Sequence, residues 1–91
     1  QGTGYFFGLG ILADSGGDDR YQGARYSQGS AAHQAAGILL DDAGDDIYHG
    51  SVGANQGAAW DAAIAVLVDL AGDDSYMGGG LSQGAAAMNG V

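Results

Sequence analysis

The amino-acid sequence predicts an all-β fold, a parallel β-solenoid (β-helix) with coils of 27–28 residues and about 3.3 coils in its 91 residues. The first observation behind this prediction is an internal repeat of that period, which suits one coil of about three short strands joined by corners. The second is that aliphatic residues alternate along the same part of each repeat. The third is the content of 19 glycines, since an interior glycine costs a helix about 1 kcal/mol relative to alanine.

Four Gln-Gly pairs mark the repeat at nearly equal spacings, and their glutamines are Gln1, Gln28, Gln56 and Gln83. Sixteen residues after each of the first three glutamines, the sequence Gly-Asp-Asp-x-Tyr recurs. These landmarks define one repeat domain over residues 1–91, which we expect to be a fragment or a protomer of a longer array. Its parts are repeats 1–27, 28–55 and 56–82 and a partial repeat, 83–91.

The clearest strand of each coil is predicted at residues 9–13, 36–40 and 64–68, where aliphatic side chains alternate with glycine, alanine and a shared leucine. One of the equivalent segments is rich in alanine, so a helix-containing repeat, in the manner of leucine-rich repeats, is the alternative architecture. The second repeat has one extra residue between Tyr48 and Gln56, which predicts a tolerant corner there.

In a parallel solenoid, equivalent residues lie above one another about 4.8 Å apart and form columns. The four glutamines are expected to pass amide hydrogen bonds from coil to coil. Glycines at the corners are expected to supply positive φ or close approach. A second column, in which the rings are expected to stack, consists of Tyr21, Tyr48 and Tyr76.

All eleven acidic residues are aspartates, against two basic residues, Arg20 and Arg25. Two unit charges about 4.8 Å apart repel by roughly 1 kcal/mol in water and by about 3–4 kcal/mol at an effective dielectric constant of 20. Stacked aspartates therefore need protons, another partner or a metal ion, and short carboxylates beside glycines are ligands that calcium takes. We predict calcium along three columns, with a solvated acidic edge as the alternative. The predicted ligands are Asp14, Asp41 and Asp69, then Asp18, Asp45 and Asp73, then Asp19, Asp46 and Asp74.

A segment in the middle of the chain resembles one nonapeptide of the repeats-in-toxin (RTX) calcium-binding solenoids. It reads Asp42-Ala43-Gly44-Asp45-Asp46-Ile47-Tyr48-His49-Gly50, and it has sister segments in the other two coils. The resemblance covers about a third of each repeat and implies a secreted, calcium-loaded β-roll. The whole repeat also resembles Gln-Gly and Gly-Asp-Asp-x-Tyr arrays of uncharacterised secreted bacterial proteins, a resemblance that implies no activity.

Several function classes are disfavoured by composition and pattern. A formal charge of -9 opposes binding to nucleic acid, no apolar run is long enough for a membrane span, and the absence of cysteine removes thiolate chemistry. Catalytic sites need unlike groups at one place, whereas almost every polar group here is repeated, so we predict no enzyme. His33 and His49 lack an obvious partner and are expected at the surface. Trp60 and the run 5–7 break the repeat, so they are the best candidates for a specific contact, but packing is the role that we expect for them.

The expected function is that of a non-enzymatic extracellular or cell-surface structural protein, stabilised by calcium. It would form an elongated array or filament, or serve as an adhesin stalk, with a surface glycan as a further candidate partner. Self-association, by end-to-end stacking or lateral packing, is expected because the open ends expose unpaired backbone groups. The alternatives are an ice-binding solenoid, although Thr3 is the only threonine, and a polysaccharide-active β-helix enzyme.

Overall fold

The computed structural model of the protein describes residues 2–91 and is a parallel β-solenoid of about three turns. Within these residues every regular element is a strand, and no helix that could cross a membrane is present. The predicted fold class is therefore confirmed, and the alternative with a helix in each repeat is wrong. Gln1, the first member of the predicted glutamine column, lies outside the described residues.

Each complete coil contributes three strands. The first coil holds β1 (Gly4–Tyr5), β2 (Leu9–Asp14) and β3 (Arg20–Gly23). The second holds β4 (Ala31–Ala32), β5 (Ala36–Asp41) and β6 (Ile47–Gly50). The third holds β7 (Ala59–Trp60), β8 (Ile64–Asp69) and β9 (Ser75–Met77), and β10 (Ala86–Ala87) begins a fourth.

The strands form three parallel sheets, each built from one strand of successive coils. We call them the short sheet (β1-β4-β7-β10), the long sheet (β2-β5-β8) and the tyrosine sheet (β3-β6-β9). The extra residue of the second repeat is located by the pairing register. Gly23 pairs with Gly50, whereas Ser27 pairs with Asn55, so the offset between partners grows by one between these two positions. The insertion thus lies after β6, in the corner where the sequence predicts it.

Successive residues of a strand point to opposite faces, so only every second side chain of each strand lies in the interior of the solenoid. In β5, Leu39 is fully buried whereas its neighbour Leu40 is 38% exposed. Leu39 packs against Tyr21 and Tyr48, and buried alanines fill the space beside the short sheet. There the coil is too thin for larger side chains: a Cβ added at Gly37 would overlap the carbonyl of Ser30.

The tyrosines form the predicted ring column. The centroids of Tyr21 and Tyr48 are 4.8 Å apart at an interplanar angle of 9°, and those of Tyr48 and Tyr76 are 4.7 Å apart at 1°. This spacing matches the rise of one coil, so the rings stack face to face throughout the tyrosine sheet.

The expected amide ladder between glutamines is wrong. The side-chain amide of Gln56 donates to the backbone carbonyls of Tyr48, at 2.9 Å, and Met77, at 2.8 Å. Gln28 donates in the same way to the carbonyl of Tyr21, at 2.7 Å. The buried side-chain oxygens of Gln28 and Gln56 accept no hydrogen bond from residues 2–91. The glutamines therefore fix the end of the tyrosine strands and do not bond to one another.

Candidate metal centre

The first aspartate column lies at the carboxyl end of the long sheet. Asp14 pairs in register with Asp41, and Asp41 pairs with Asp69. Each aspartate stands two residues after an inward leucine, so strand alternation turns its side chain inward as well. Asp41, in the middle coil, is accordingly fully buried.

The second column, Asp19, Asp46 and Asp74, follows the glycine corner. Gly44 in this corner has a φ of +145°, and a Cβ there would overlap the carbonyl of Gly17 in the coil before. The tight corner lets each carboxylate reach back one coil. Asp46 Oδ1 accepts from the amide of Asp19 at 2.7 Å, and Asp74 Oδ1 accepts from the amide of Asp46 at 2.9 Å.

The third column, Asp18, Asp45 and Asp73, faces solvent. Asp18 Oδ1 accepts from the amide of Asp45 at 3.1 Å, and Asp45 Oδ1 accepts from the amide of Asp73 at 2.9 Å. These bonds run from one coil to the next in the direction opposite to those of the second column. The carboxylates of Asp18 and Asp45 thereby accept backbone hydrogen bonds at the corner while remaining open to solvent.

The structure brings five of the nine predicted ligands together in two triads. In each triad, each aspartate offers one carboxylate oxygen, and these three oxygens lie within 4.8 Å of one another. The first triad is Asp19, Asp41 and Asp46, the second is Asp46, Asp69 and Asp74, and Asp46 belongs to both. Asp14 and the three exposed aspartates, Asp18, Asp45 and Asp73, lie outside both triads.

The tyrosine column satisfies one carboxylate oxygen of Asp41 and one of Asp69. Tyr21 donates its hydroxyl to Asp41 Oδ2 at 2.5 Å, and both Tyr48 and Tyr76 donate to Asp69 Oδ2 at 2.9 Å. The other oxygens are left without a donor. Asp41 Oδ1, Asp69 Oδ1 and Asp46 Oδ2 are buried and form no hydrogen bond within residues 2–91.

The electrostatic environment of these oxygens is unfavourable for bare charge. Burial raises the pKa of Asp46, and the carboxylates of Asp41, Asp69 and Asp74 raise it further, while the hydrogen bond from the Asp19 amide acts in the opposite direction. Burial and the bonded carboxylates also raise the pKa of the tyrosine hydroxyls, so these remain protonated donors. Within the described chain neither arginine pairs with an acid. A proton or a cation at Asp46 would relieve this unfavourable environment.

The residues of the triads fit calcium. Calcium binds oxygen at about 2.3–2.6 Å, so two ligands on opposite sides of one ion lie roughly 4.6–5.2 Å apart. The separations within each triad do not exceed this span. Three carboxylates also supply the hard oxygens that calcium prefers, and the unpaired oxygens are the atoms that an ion would satisfy.

A second group of interacting side chains lies at a corner of the solenoid. Contrary to expectation, His33 has partners: its Nδ1 is 3.0 Å from Asp61 Oδ2, and its ring stacks on Phe6 at 4.5 Å. The same position of successive repeats is occupied by Phe6, His33 and Asp61. A search for identical residues misses this match, because the three residues are of different types. The predicted packing of the run 5–7 is only partial, since Phe7 is 79% exposed. His49 lies on the outer side of β6 and is half-buried.

Comparison with known protein families, characterised proteins and solved structures found no match to this chain.

Proposed function

We propose that this protein is a non-enzymatic structural repeat whose coils are held together by calcium bound at the two aspartate triads. The observation that carries the proposal is the presence of three buried carboxylate oxygens, on Asp41, Asp46 and Asp69, that have no hydrogen-bond partner within residues 2–91. Each belongs to a triad that spans two adjacent coils. An ion at a triad would therefore join one coil to the next.

The expected stabilisation follows from the cost of leaving these groups unpaired. A buried carboxylate without a partner is strongly unfavourable, and its usual remedies are protonation or metal coordination. An ion that binds only the folded chain adds about 2.7 kcal/mol when its concentration is a hundredfold above its Kd. Since Asp46 serves both triads, its carboxylate is the group on which calcium binding depends most.

An extracellular or cell-surface location is part of the proposal. Extracellular calcium modules have Kd values of about 10⁻⁴–10⁻³ M, within reach of a small site with three carboxylates. No lysine and only two arginines are available to replace the ion. A calcium-rich compartment would therefore favour the folded state, whereas removal of calcium would weaken it.

Assembly into an elongated array or stalk is supported by the outward face of the long sheet. The aliphatic side chains of this face stand in regular rows and include Leu9 and Ile64, both more than half exposed. Such a face suits lateral packing of solenoids.

The regular aliphatic face also keeps ice binding as a second candidate, although it lacks threonines. Thermal hysteresis in a concentrated solution would favour that function. The absence of thermal hysteresis, together with sedimentation that depends on protein concentration, would favour assembly.

The central experiment compares thermal unfolding in calcium and in a chelator for three proteins: the natural chain, Asp46→Asn and Asp73→Asn. We expect calcium to raise the melting temperature of the natural chain and of Asp73→Asn, whose substituted residue is exposed and outside both triads. Asp46→Asn should lose most of this increase. A natural chain whose melting temperature is the same in calcium and chelator would contradict the proposal.

A further inference from the structure

An open cavity of about 250 Å³ lies at the corner that follows the tyrosine sheet. The first coil lines it with Arg25 and Tyr26, the second with Gly53 and Ala54, and the third with Trp60 and Leu81. All three coils therefore contribute to its walls. None of these lining residues is acidic, although 11 of the 91 residues are aspartates.

A small residue of the second coil leaves room for this cavity. Ser27 pairs with Asn55, so the residues before them, Tyr26 and Ala54, are neighbours in adjacent coils. The amide of Ala54 in turn donates to the carbonyl of Leu81, at 2.7 Å. Ala54 thus places a single methyl group between the larger side chains of Tyr26 and Leu81. The extra residue of the second repeat lies in the same corner, and insertions in repeat proteins are often found on the binding face.

Two of the lining residues depart from the repeat. Trp60 pairs with Ala32 on one side and with Ala87 on the other, so stacking of the short sheet does not require a large ring at this position. Arg25 has Val52 as its neighbour in the next coil, because the amide of Val52 donates to the carbonyl before Arg25. Groups that coil stacking needs recur from coil to coil, and these two do not. They are therefore available for a contact outside the repeat.

Arg25 supplies a positive charge that no acid of the described chain neutralises. Its side chain is exposed and forms no ion pair within residues 2–91. The guanidinium carbon lies 5.7 Å from the centroid of the Tyr26 ring, which holds the group beside the cavity. A planar guanidinium binds a carboxylate through two parallel hydrogen bonds. The charge at this corner therefore favours a ligand with a carboxylate.

The rest of the cavity favours a single sugar ring. Trp60 is half-buried and brings an indole ring to the lining. A sugar ring has a face of C–H groups that packs on an aromatic ring, while its hydroxyls stay in water through the open side. An entirely apolar acid would leave apolar surface exposed there. The volume is below the range of about 300–1,000 Å³ that is usual for drug-sized ligands, so one ring suits it.

We infer that the cavity binds a sugar ring that bears a carboxylate, such as a hexuronate residue of a glycan, with the carboxylate on Arg25 and the ring on Trp60. The net charge of -9 does not prevent this, because charges farther away than about 8 Å are largely screened at physiological ionic strength. The inference goes beyond calcium-stabilised assembly. No lining residue of the cavity belongs to a triad, so either site can fail its test while the other passes.

The first test uses the natural chain and its single tryptophan, Trp60, as the reporter. Methyl β-glucuronide is titrated into the millimolar range at pH 7 and constant ionic strength, and binding is followed by tryptophan fluorescence and by calorimetry. We expect saturable binding of one glucuronide per chain. Methyl β-glucoside, which has the same ring without the carboxylate, should bind more than about tenfold more weakly. Absence of saturable glucuronide binding in both measurements, or equal binding of the glucoside, would overturn the inference. Benzoate that binds as tightly as the glucuronide would show an aromatic-acid site and would overturn the assignment to a sugar.

The second test compares Arg25→Gln with Arg20→Gln. Each variant removes one exposed positive charge, but Arg20 does not line the cavity. Arg25→Gln should weaken glucuronide binding by more than about tenfold, whereas Arg20→Gln should bind as the natural chain does. Thermal unfolding of both variants checks that they are folded. An equal loss of binding in the two variants would show that only the net charge matters, and it would contradict a carboxylate site at Arg25.

Discussion

Tyr48 donates its hydroxyl across a coil boundary to the carboxylate of Asp69, at 2.9 Å. The same carboxylate oxygen accepts from Tyr76 of its own coil, also at 2.9 Å. The stacked rings and the stacked carboxylates are thus one network, in which a middle tyrosine joins two coils. Both the backbone pairing of the sheets and this side-chain network hold the second coil against the third.

The first prediction concerns that hydroxyl. Tyr48→Phe keeps the ring stack but removes a donor from a carboxylate, so we expect the free energy of unfolding to fall by about 1.5–3 kcal/mol. Tyr26→Phe is the control, because the Tyr26 hydroxyl bonds no residue in the described part of the chain. Denaturant unfolding of the two variants measures the difference. Equal stability of both would contradict a structural role for the network.

The second prediction concerns pH in the absence of calcium. The pKa of Asp46 is higher in the folded than in the unfolded chain, so between those two values the folded chain binds more protons. Stability contributed by Asp46 is therefore greatest on the acidic side and is lost as the pH rises through this window. In chelator, the melting temperature of the natural chain should fall from about pH 4 towards neutrality by more than the melting temperature of Asp46→Asn does.

Calcium should reverse this dependence, because the ion binds the deprotonated carboxylates and protons compete with it. The increase in melting temperature on adding calcium is expected to be larger near pH 7 than near pH 4. A calcium effect that does not vary with pH would indicate binding away from the buried carboxylates.

The third prediction concerns the corner glycine. Gly44→Ala places a Cβ against the carbonyl of Gly17 and at a φ of +145°, so we expect a loss of more than about 2 kcal/mol in the free energy of unfolding. Gly80→Ala is the matched control, since no atom lies within 4 Å of its added Cβ. It should change stability by less than about 0.5 kcal/mol. Thermal unfolding of both variants checks the contrast.

The fourth prediction concerns two neighbouring leucines of β5. Leu39→Ala should cost about 2–5 kcal/mol, because this side chain is fully buried against the tyrosine column. Leu40→Ala should cost less than about 1 kcal/mol in the isolated chain, because the side chain is outward. Denaturant unfolding at several protein concentrations measures both. If Leu40→Ala proves costly only at high protein concentration, the outward face is a packing surface between copies.

The sequence predicts the coil length, the long-sheet strand of each coil and the membership of each column. A regular repeat stacks equivalent residues whatever the details of the corners, and alternation within a strand sets which side chains face inward. Leu39, Asp41 and the tyrosine rings follow directly from these two rules. The corner after β6 follows as well, because the spacing between equivalent residues increases by one between Tyr48 and Gln56.

The sequence does not show which columns meet, because this depends on how the chain turns at its corners. Asp41 and Asp46 lie on either side of a corner, and spacing along the chain does not give the angle through which that corner turns. The backbone at Gly44 turns the second column inward and leaves Asp45 in solvent, so two adjacent aspartates have opposite environments. The partners of Gln56 and His33 were likewise decided by distances between sheets and corners, because side-chain hydrogen bonds depend on direction as well as on register.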